Sequence, residues 1–139
     1  MNLYWQRLTR LRSEIATIKQ KRKKKFKKDQ QIMINFINGV TEYALFEVGV
    51  KKIYLRRGDE KKGFKHILLR HYCAGCLGEL STMDILNMIN VVKKGIKLAN
   101  VGVNNDHLIV YKQIKGLDQL KLVLKPIGDN ELVVTLYRL

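Results

Sequence analysis

Two histidines lie five residues apart in the segment GFKHILLRHY, residues 63–72, and share it with an arginine. They are His66 and His71, and the arginine is Arg70. An imidazole takes up or releases a proton near neutral pH, and a guanidinium is a forked donor for phosphate oxygens. Metal-free cleavage of a phosphodiester requires both groups. The segment therefore predicts acid–base chemistry on a phosphate, as in a small ribonuclease.

RNA can be cut without a metal because its own 2′-OH attacks the adjacent phosphate. The protein must then move two protons and stabilise the added charge. His66 is the predicted proton-transfer group, and Arg70, one helical turn later, can face the same cleft. Thr135 and Tyr137 share a face of the last predicted strand and could hydrogen-bond phosphate. Further basic side chains are candidates for substrate binding: Arg57, Lys65, Lys112, Lys121 and Lys125.

The roles of the other two histidines depend on features beyond the motif. His71 follows His66 by five positions, which is about 140° around a regular helix. It joins the site only if the helix ends or bends near Tyr72, so a structural and a catalytic role both stay open for it. His107 opens a predicted strand without a visible partner and is predicted to be structural. The carboxylates are scattered along the sequence, so we predict no metal site. No nucleotide-binding motif occurs, so we predict no nucleotide cofactor.

Cys73 and Cys76 are the two cysteines and form one CxxC pair. A structural zinc needs four ligands, and the chain has no second pair of this kind. A thioredoxin-like role would need a preceding strand in a βαβ unit. We therefore predict two free thiols in a cytosolic protein.

The positive charge is concentrated at the N-terminus. The net charge is +15, and residues 1–28 carry 11 Lys/Arg against one acidic residue, while residues 29–139 carry 16 against 11. A polyanionic partner is therefore expected, with nucleic acid ahead of an acidic membrane surface. No apolar run approaches the ~18 residues that would span a bilayer, and arginines occupy the place of a signal peptide's apolar region.

Hydrophobic spacing predicts two helices at the N-terminus. Residues 3–28 form the first, and residues 29–46 form the second, which Gly39 weakens slightly. The first carries a narrow apolar stripe of the coiled-coil kind, which could pack along the domain or pair two chains. Its members are Tyr4, Leu8, Leu11, Ile15 and Ile18.

The remainder of the chain reads as strand, two helices and three strands. A strand is predicted at residues 48–56 and a helix at 64–73. Ser81 and Asp84 predict a capping box, which opens a helix that ends at Gly95. Three strands follow with short turns between them, which predicts an antiparallel meander; they cover residues 107–113, 119–125 and 131–138. The predicted class is α+β, with N-terminal helices followed by a small antiparallel β-sheet packed against helices.

Taken together, these pieces resemble the Barnase–EndoU–Colicin–RelE ribonuclease superfamily, and its phage- and toxin-associated branch most. The resemblance rests on a basic strand, the pattern G-x-x-H-I-L-x-x-H, a helix ending in glycine and the final strand V-V-T-L-Y. It covers residues 50–139 and implies a nuclease fold of that superfamily. The chain would thus divide into a basic helical N-terminal region, residues 1–46, and a catalytic domain, residues 47–139.

The resemblance also implies roles for particular residues. His66 matches the main catalytic histidine and His71 a second histidine of the motif, while Thr135 and Tyr137 match a polar pair near the terminus. Lys112 or Lys121 would be the sheet lysine.

It further implies metal-independent cleavage, often of tRNA, an acidic immunity protein or antitoxin as partner, and delivery of a larger toxin to the cytoplasm of another cell. The alternatives are a non-catalytic nucleic-acid-binding module that uses the basic N-terminal helix, and an interaction domain that dimerises through the apolar stripe.

Overall fold

The computed structural model describes residues 2–98, 101–103 and 106–139, with side chains over 2–98 and 108–139. The side chain of His107, for which a structural role was predicted, is therefore outside the described part of the chain. Across these residues, no helix has the length and apolar composition needed to cross a membrane. The helices are α1 (Leu3–Lys21), α2 (Lys28–Ile37), α3 (Phe64–His71), α4 (Thr82–Leu86) and α5 (Asn90–Lys93). The strands are β1 (Tyr43–Val48), β2 (Lys51–Arg56), β3 (Ile96–Lys97), β4 (Val101–Val103), β5 (Asp106–Lys115), β6 (Asp118–Ile127) and β7 (Asn130–Arg138).

One mostly antiparallel sheet organises the fold. Its strand order is β1-β2-β7-β6-β5-β3, and β4 pairs with β5. The meander β5–β6–β7 is antiparallel as predicted, and the α+β class with helices packed on a sheet is confirmed. The sheet is not antiparallel throughout, however, because β2 pairs with β7 in parallel. Three helices separate these two strands along the chain, and no local turn signal in the sequence could have indicated their pairing.

The first helix is shorter than predicted. It ends at Lys21, and residues 22–27 connect it to α2 without helical structure. This connection carries most of the basic run KQKRKKKFKK, residues 19–28. Like charges in such a run would repel one another one turn apart on a helix. The prediction of a single helix over residues 3–28 is therefore wrong at its C-terminal end.

The second helix ends at Ile37 instead of continuing to residue 46. Gly39 takes a φ of +80° just past the end. Its N–H donates to the carbonyl of Phe36 at 3.1 Å, and the N–H of Val40 donates to the carbonyl of Asn35 at 2.8 Å. These two bonds form a Schellman motif, which terminates a helix. Gly39 is therefore a stop signal rather than the mild weakening assumed from sequence.

A β-hairpin replaces the single strand predicted over residues 48–56. Strands β1 and β2 pair antiparallel, and Val48 opposite Lys51 closes a two-residue turn. The turn begins at Gly49, which has a φ of +63°, as two-residue hairpins with glycine first require. The predicted domain boundary between residues 46 and 47 falls inside β1. The strand therefore begins in the predicted N-terminal region and ends in the predicted catalytic domain.

The capping box at Ser81 and Asp84 is confirmed. The N–H of Asp84 donates to the Ser81 hydroxyl at 3.1 Å, and the N–H of Ser81 donates to the Asp84 carboxylate at 2.9 Å. The helix that it opens is split into α4 and α5, and α5 ends two residues before Gly95. Of these two short helices, α5 contacts β5 and β6, whereas α4 contacts α1 and α2.

The apolar stripe of α1 is buried within its own chain. Tyr4, Leu8, Leu11 and Ile15 belong to the one hydrophobic core that also holds residues of the sheet and of α3. The Arg7 guanidinium donates to the Leu68 carbonyl at 2.8 Å and so fixes the C-terminal turn of α3. Ile18, the fifth member of the stripe, is half-buried. Because the other four are covered by their own chain, they offer no surface for the dimer considered from the sequence.

Leu11 tests whether the N-terminal helix is integral to the fold. Its side chain is fully buried, whereas Leu3 on the same helix is 48% exposed. We expect Leu11→Ala to lower the free energy of unfolding by about 2–5 kcal/mol, because it leaves a cavity in the core. Leu3→Ala should change it by less than about 0.5 kcal/mol. Urea unfolding of both variants measures this, and equal small losses would show that the helix is a separate appendage.

Candidate functional site

The two motif histidines come together at the C-terminal end of α3. The helix ends at His71, and Tyr72 leaves the helical conformation with φ −105° and ψ 68°. The rings of His66 and His71 consequently lie edge to face, with centroids 5.8 Å apart. The condition that the sequence set for His71, a helix that ends near Tyr72, is therefore met.

A compact turn orients His66. Its Nδ1 lies 2.8 Å from the carbonyl oxygen of Glu60. The Asp59 carboxylate holds this turn by accepting hydrogen bonds from the N–H groups of Lys61 and Lys62, at 2.8 and 3.1 Å. Because a carbonyl only accepts, Nδ1 of His66 must carry a proton, and Nε2 of the neutral ring keeps the free lone pair.

The loop after α3 orients His71 in the same way. Nδ1 of His71 lies 2.7 Å from the Leu77 carbonyl oxygen, and the ring packs on Tyr137 of β7 with centroids 5.7 Å apart. Backbone bonds fix the loop at both sides: the N–H of Leu80 donates to the His71 carbonyl at 2.7 Å, and the N–H of Arg138 donates to the Gly78 carbonyl at 3.2 Å. His71 is thus held between a loop and the sheet.

This position makes His71 a weaker base than a free imidazole. Partial burial lowers the pKa of His71 below its usual value of 6.5. The hydrogen bond to the Leu77 carbonyl opposes the shift, and the nearby positive charges of His66 and Arg70 add to it. At neutral pH His71 is therefore in its neutral form, which can accept a proton.

The cysteines differ from the prediction. Cys73 and Cys76 form a disulfide, and no described cysteine is free. The turn after α3 brings their Cα atoms to 5.5 Å, a separation that a disulfide can bridge. The prediction of two free thiols is therefore wrong, since the spacing alone did not reveal how tightly the chain turns here.

Two lysines and a tyrosine form a row across the sheet beside His71. Lys112 on β5 is directly opposite Lys121 on β6, and Lys121 is directly opposite Tyr137 on β7. Directly opposed residues point to the same face, which we call the basic face. Like charges in this position destabilise a sheet unless an anion lies between them. The row is therefore suited to binding phosphate.

The other residues predicted on this sheet are placed less directly. Thr135 lies on the basic face two residues before Tyr137, but its hydroxyl oxygen is buried and no described group hydrogen-bonds to it. A phosphate could reach this oxygen only if the side chains that cover it moved. Lys125 follows Lys121 by four residues on β6 and shares its face, about 13 Å further along the strand.

Three predicted basic residues on or near α3 are divided between two sides of it. The Arg57 guanidinium lies 5.2 Å, and the Lys65 ammonium 5.8 Å, from the ring centroid of Tyr4 on α1. Both cations are thus on the side of α3 that contacts α1. Arg70 is exposed, and its charge acts on His71. The structure therefore gathers His66, His71, Arg70, Lys121 and Tyr137, and leaves Arg57 and Lys65 apart.

Gly78 is a positioning residue that the sequence reasoning missed. It has a φ of +69°, and a Cβ there would lie 3.0 Å from both Nδ1 of His71 and Cβ of Tyr137. Only glycine lets the loop approach the ring so closely. Its place two residues after Cys76 was the available signal, since an isolated glycine in a loop often marks a close backbone approach.

Gly78→Ala is expected to displace the His71 ring from Tyr137. Gly75 in the same loop is the matched control, because its φ of +76° is equally unfavourable for alanine but no atom lies within 4 Å of its Cβ position. Both variants should lose a similar free energy from backbone strain, about 1–2 kcal/mol. Only Gly78→Ala should shift the NMR resonances of the His71 ring. Equal shifts in the two variants would contradict the packing described.

Within the described residues, no three His, Cys, Asp or Glu side chains lie close enough together to hold a metal ion. Comparisons of the chain with protein-family models, with curated proteins and with solved structures found no match.

Proposed function

We propose that this protein is an endoribonuclease that cuts RNA, tRNA being one candidate, by attack of the 2′-OH on the adjacent phosphate. The products would be a 2′,3′-cyclic phosphate and a 5′-hydroxyl. The observation that carries the proposal is the meeting of two histidines, of which only His71 packs on the sheet at Tyr137, with a row of like-charged lysines. A pair of histidines with a purely structural role would not need lysines beside it. Two lysines that only contact solvent would not be stabilised by lying directly opposite each other, because their like charges repel.

The geometry supports a division of roles between the two rings. His71, neutral and beside Tyr137, acts as the base that removes the 2′-OH proton. His66, less confined by the sheet, acts in its protonated form as the acid, and its Nε2 gives a proton to the leaving 5′-oxygen. Lys121 and Lys112 stabilise the charge that develops on the phosphate, with Arg70 as a further clamp. Tyr137 donates a hydrogen bond to a phosphate oxygen, and Thr135 supports the strand.

The chemistry agrees with the superfamily suggested by the motif, and we propose the Barnase–EndoU–Colicin–RelE type of nuclease on that ground. An acidic immunity protein or antitoxin that covers the basic face is the corresponding partner. Action on RNA in the cytoplasm, after delivery as part of a larger toxin, is the corresponding biology.

One observation favours the alternative of a non-catalytic nucleic-acid-binding module. The side chains of Lys23, Lys24 and Lys25 are all exposed in the connection between α1 and α2. This connection begins about 21 Å along α1 from Arg7, which contacts α3. A polyanion could therefore bind there without meeting the histidines.

Total tRNA and a single-stranded RNA oligonucleotide, incubated with the full chain in EDTA, test the proposal. We expect discrete fragments with 2′,3′-cyclic phosphate and 5′-hydroxyl ends. A 2′-deoxy nucleotide at the cut position should prevent cleavage without weakening binding, because only the attacking hydroxyl is removed. RNA that binds but stays intact would favour the binding module, and fragments with 3′-hydroxyl ends would show cleavage by a different mechanism.

A further inference from the structure

A cleft of about 240 Å³ opens where β2 meets β7. Tyr54 on β2 is in register with Leu132 on β7, and Leu132 with Lys125 on β6. Because paired residues share a face, the cleft lies on the basic face together with Lys121 and Tyr137. The cleft and the histidine site are thus two positions on one continuous surface.

The lining of this cleft combines aromatic rings with polar groups. The rings of Tyr43 and Tyr54 lie 5.5 Å apart at an angle of 51°, and Tyr43 is 47% exposed. Arg56, Asn130 and Glu131 also line the cleft, and the Glu131 carboxylate is neutralised by an ion pair with Lys51 at 3.0 Å. No described carboxylate forms an ion pair with Arg56, and the Asn130 amide can both donate and accept hydrogen bonds. These groups recognise a planar ligand that has polar edges and an attached negative charge.

We propose that this cleft is a subsite that binds one base of single-stranded RNA. Its volume is below the ~300–1,000 Å³ of pockets for drug-sized ligands, which suits a single ring system. Stacking on tyrosine accepts any base, and Arg56 can neutralise a neighbouring phosphate. A duplex does not fit, because its bases are already paired and stacked.

The distance between the two positions limits which nucleotide is bound. Lys121 and Lys125 are four residues apart on β6, or about 13 Å. They lie opposite Tyr137 and Leu132 on β7, where a bulge holds one extra residue. The base in the cleft therefore belongs to a nucleotide close to the scissile phosphate along the strand. The inference rests on RNA being the substrate, as proposed above, but not on its cleavage.

Binding of labelled single-stranded RNA to the full chain carrying His71→Ala tests this subsite without interference from cleavage. We expect Tyr43→Ala to weaken binding about 5- to 150-fold, the range of lost stacking on one base. The dependence of affinity on salt should not change, since no cation is removed. Tyr43→Phe should retain binding. Trp5→Ala is the matched control, because Trp5 is similarly exposed, at 45%, but lies on α1.

A series of oligonucleotides with one abasic position each completes the test. One position should weaken binding as much as Tyr43→Ala does, and that loss should disappear in the Tyr43→Ala protein. Tyr54→Leu, which keeps an apolar side chain in the sheet, should show the same pattern. Unchanged affinity in both tyrosine variants, or an equal loss with Trp5→Ala, would overturn the subsite. Intact RNA with the unaltered chain would contradict only the nuclease.

Discussion

Replacement of His71 by alanine is expected to reduce RNA cleavage by about 10²–10⁴-fold, the usual contribution of a positioned acid or base. The ring is held by the Leu77 carbonyl and by Tyr137, so alanine removes the base without removing a member of the hydrophobic core. Affinity for RNA should fall little, because the lysine row remains. Single-turnover cleavage and binding, measured on the same preparation, separate the two effects.

His66→Ala should give a loss of similar size with a different dependence on substrate. If His66 protonates the leaving oxygen, a p-nitrophenyl phosphodiester of a ribonucleotide should restore much of the rate, because that leaving group needs no proton. The same substrate should not restore His71→Ala. If this substrate restored the cleavage rate of neither variant, or of both equally, the assignment of His71 as base and His66 as acid would be contradicted.

The pH dependence follows from the environment of His71. Since burial and nearby cations lower its pKa, the acidic limb of kcat/KM should lie below pH 6.5, where His71 becomes protonated and can no longer act as the base. Arg70→Ala removes one of these cations, so the pKa of His71 should rise and the limb should move to higher pH. Arg70→Lys should leave it in place. A shift in the opposite direction would show that another group provides the base.

The sequence predicted those parts of the fold that depend on local signals. The three C-terminal strands, the helix at residues 64–71 and the Ser81 capping box all follow from alternation, periodicity or cap chemistry. The helix ends were missed where several signals competed. Gly39 was counted as a weak helix residue, although its position just after an apolar face was also that of a helix stop.

The candidate site was predictable in its residues but not in its geometry. The motif alone named His66, Arg70 and His71, yet the 5.8 Å between the histidine rings depends on where α3 ends. The alignment of Lys112, Lys121 and Tyr137 depends on strand register, which long-range packing determines. The cleft at Tyr54 was not foreseeable, because it requires the parallel pairing of β2 with β7.

Simultaneous replacement of Lys112 and Lys121 by alanine is expected to weaken RNA cleavage strongly while leaving the fold as stable as before, or more stable. The two ammonium groups are on directly opposed residues, and relief of such repulsion contributes up to about 1 kcal/mol. For cleavage, loss of a group that stabilises transition-state charge costs about 10²–10³-fold in rate. If the two lysines had only a structural role, their replacement would lower the free energy of unfolding.

Salt dependence distinguishes this phosphate-binding role from a general effect of charge. Each lysine that contacts the phosphate of a single strand contributes about 0.7 to the slope of log affinity against log salt, so the double variant should lose about 1.4. The charge-matched control, Lys94→Ala with Lys115→Ala, alters two exposed lysines outside the row. It should lower the slope of log affinity against log salt less, and the rate at which bound RNA is cleaved should not change. If both double variants behaved alike, net charge rather than the lysine row would explain RNA binding. The opposed lysines would then need a different ligand to offset their repulsion.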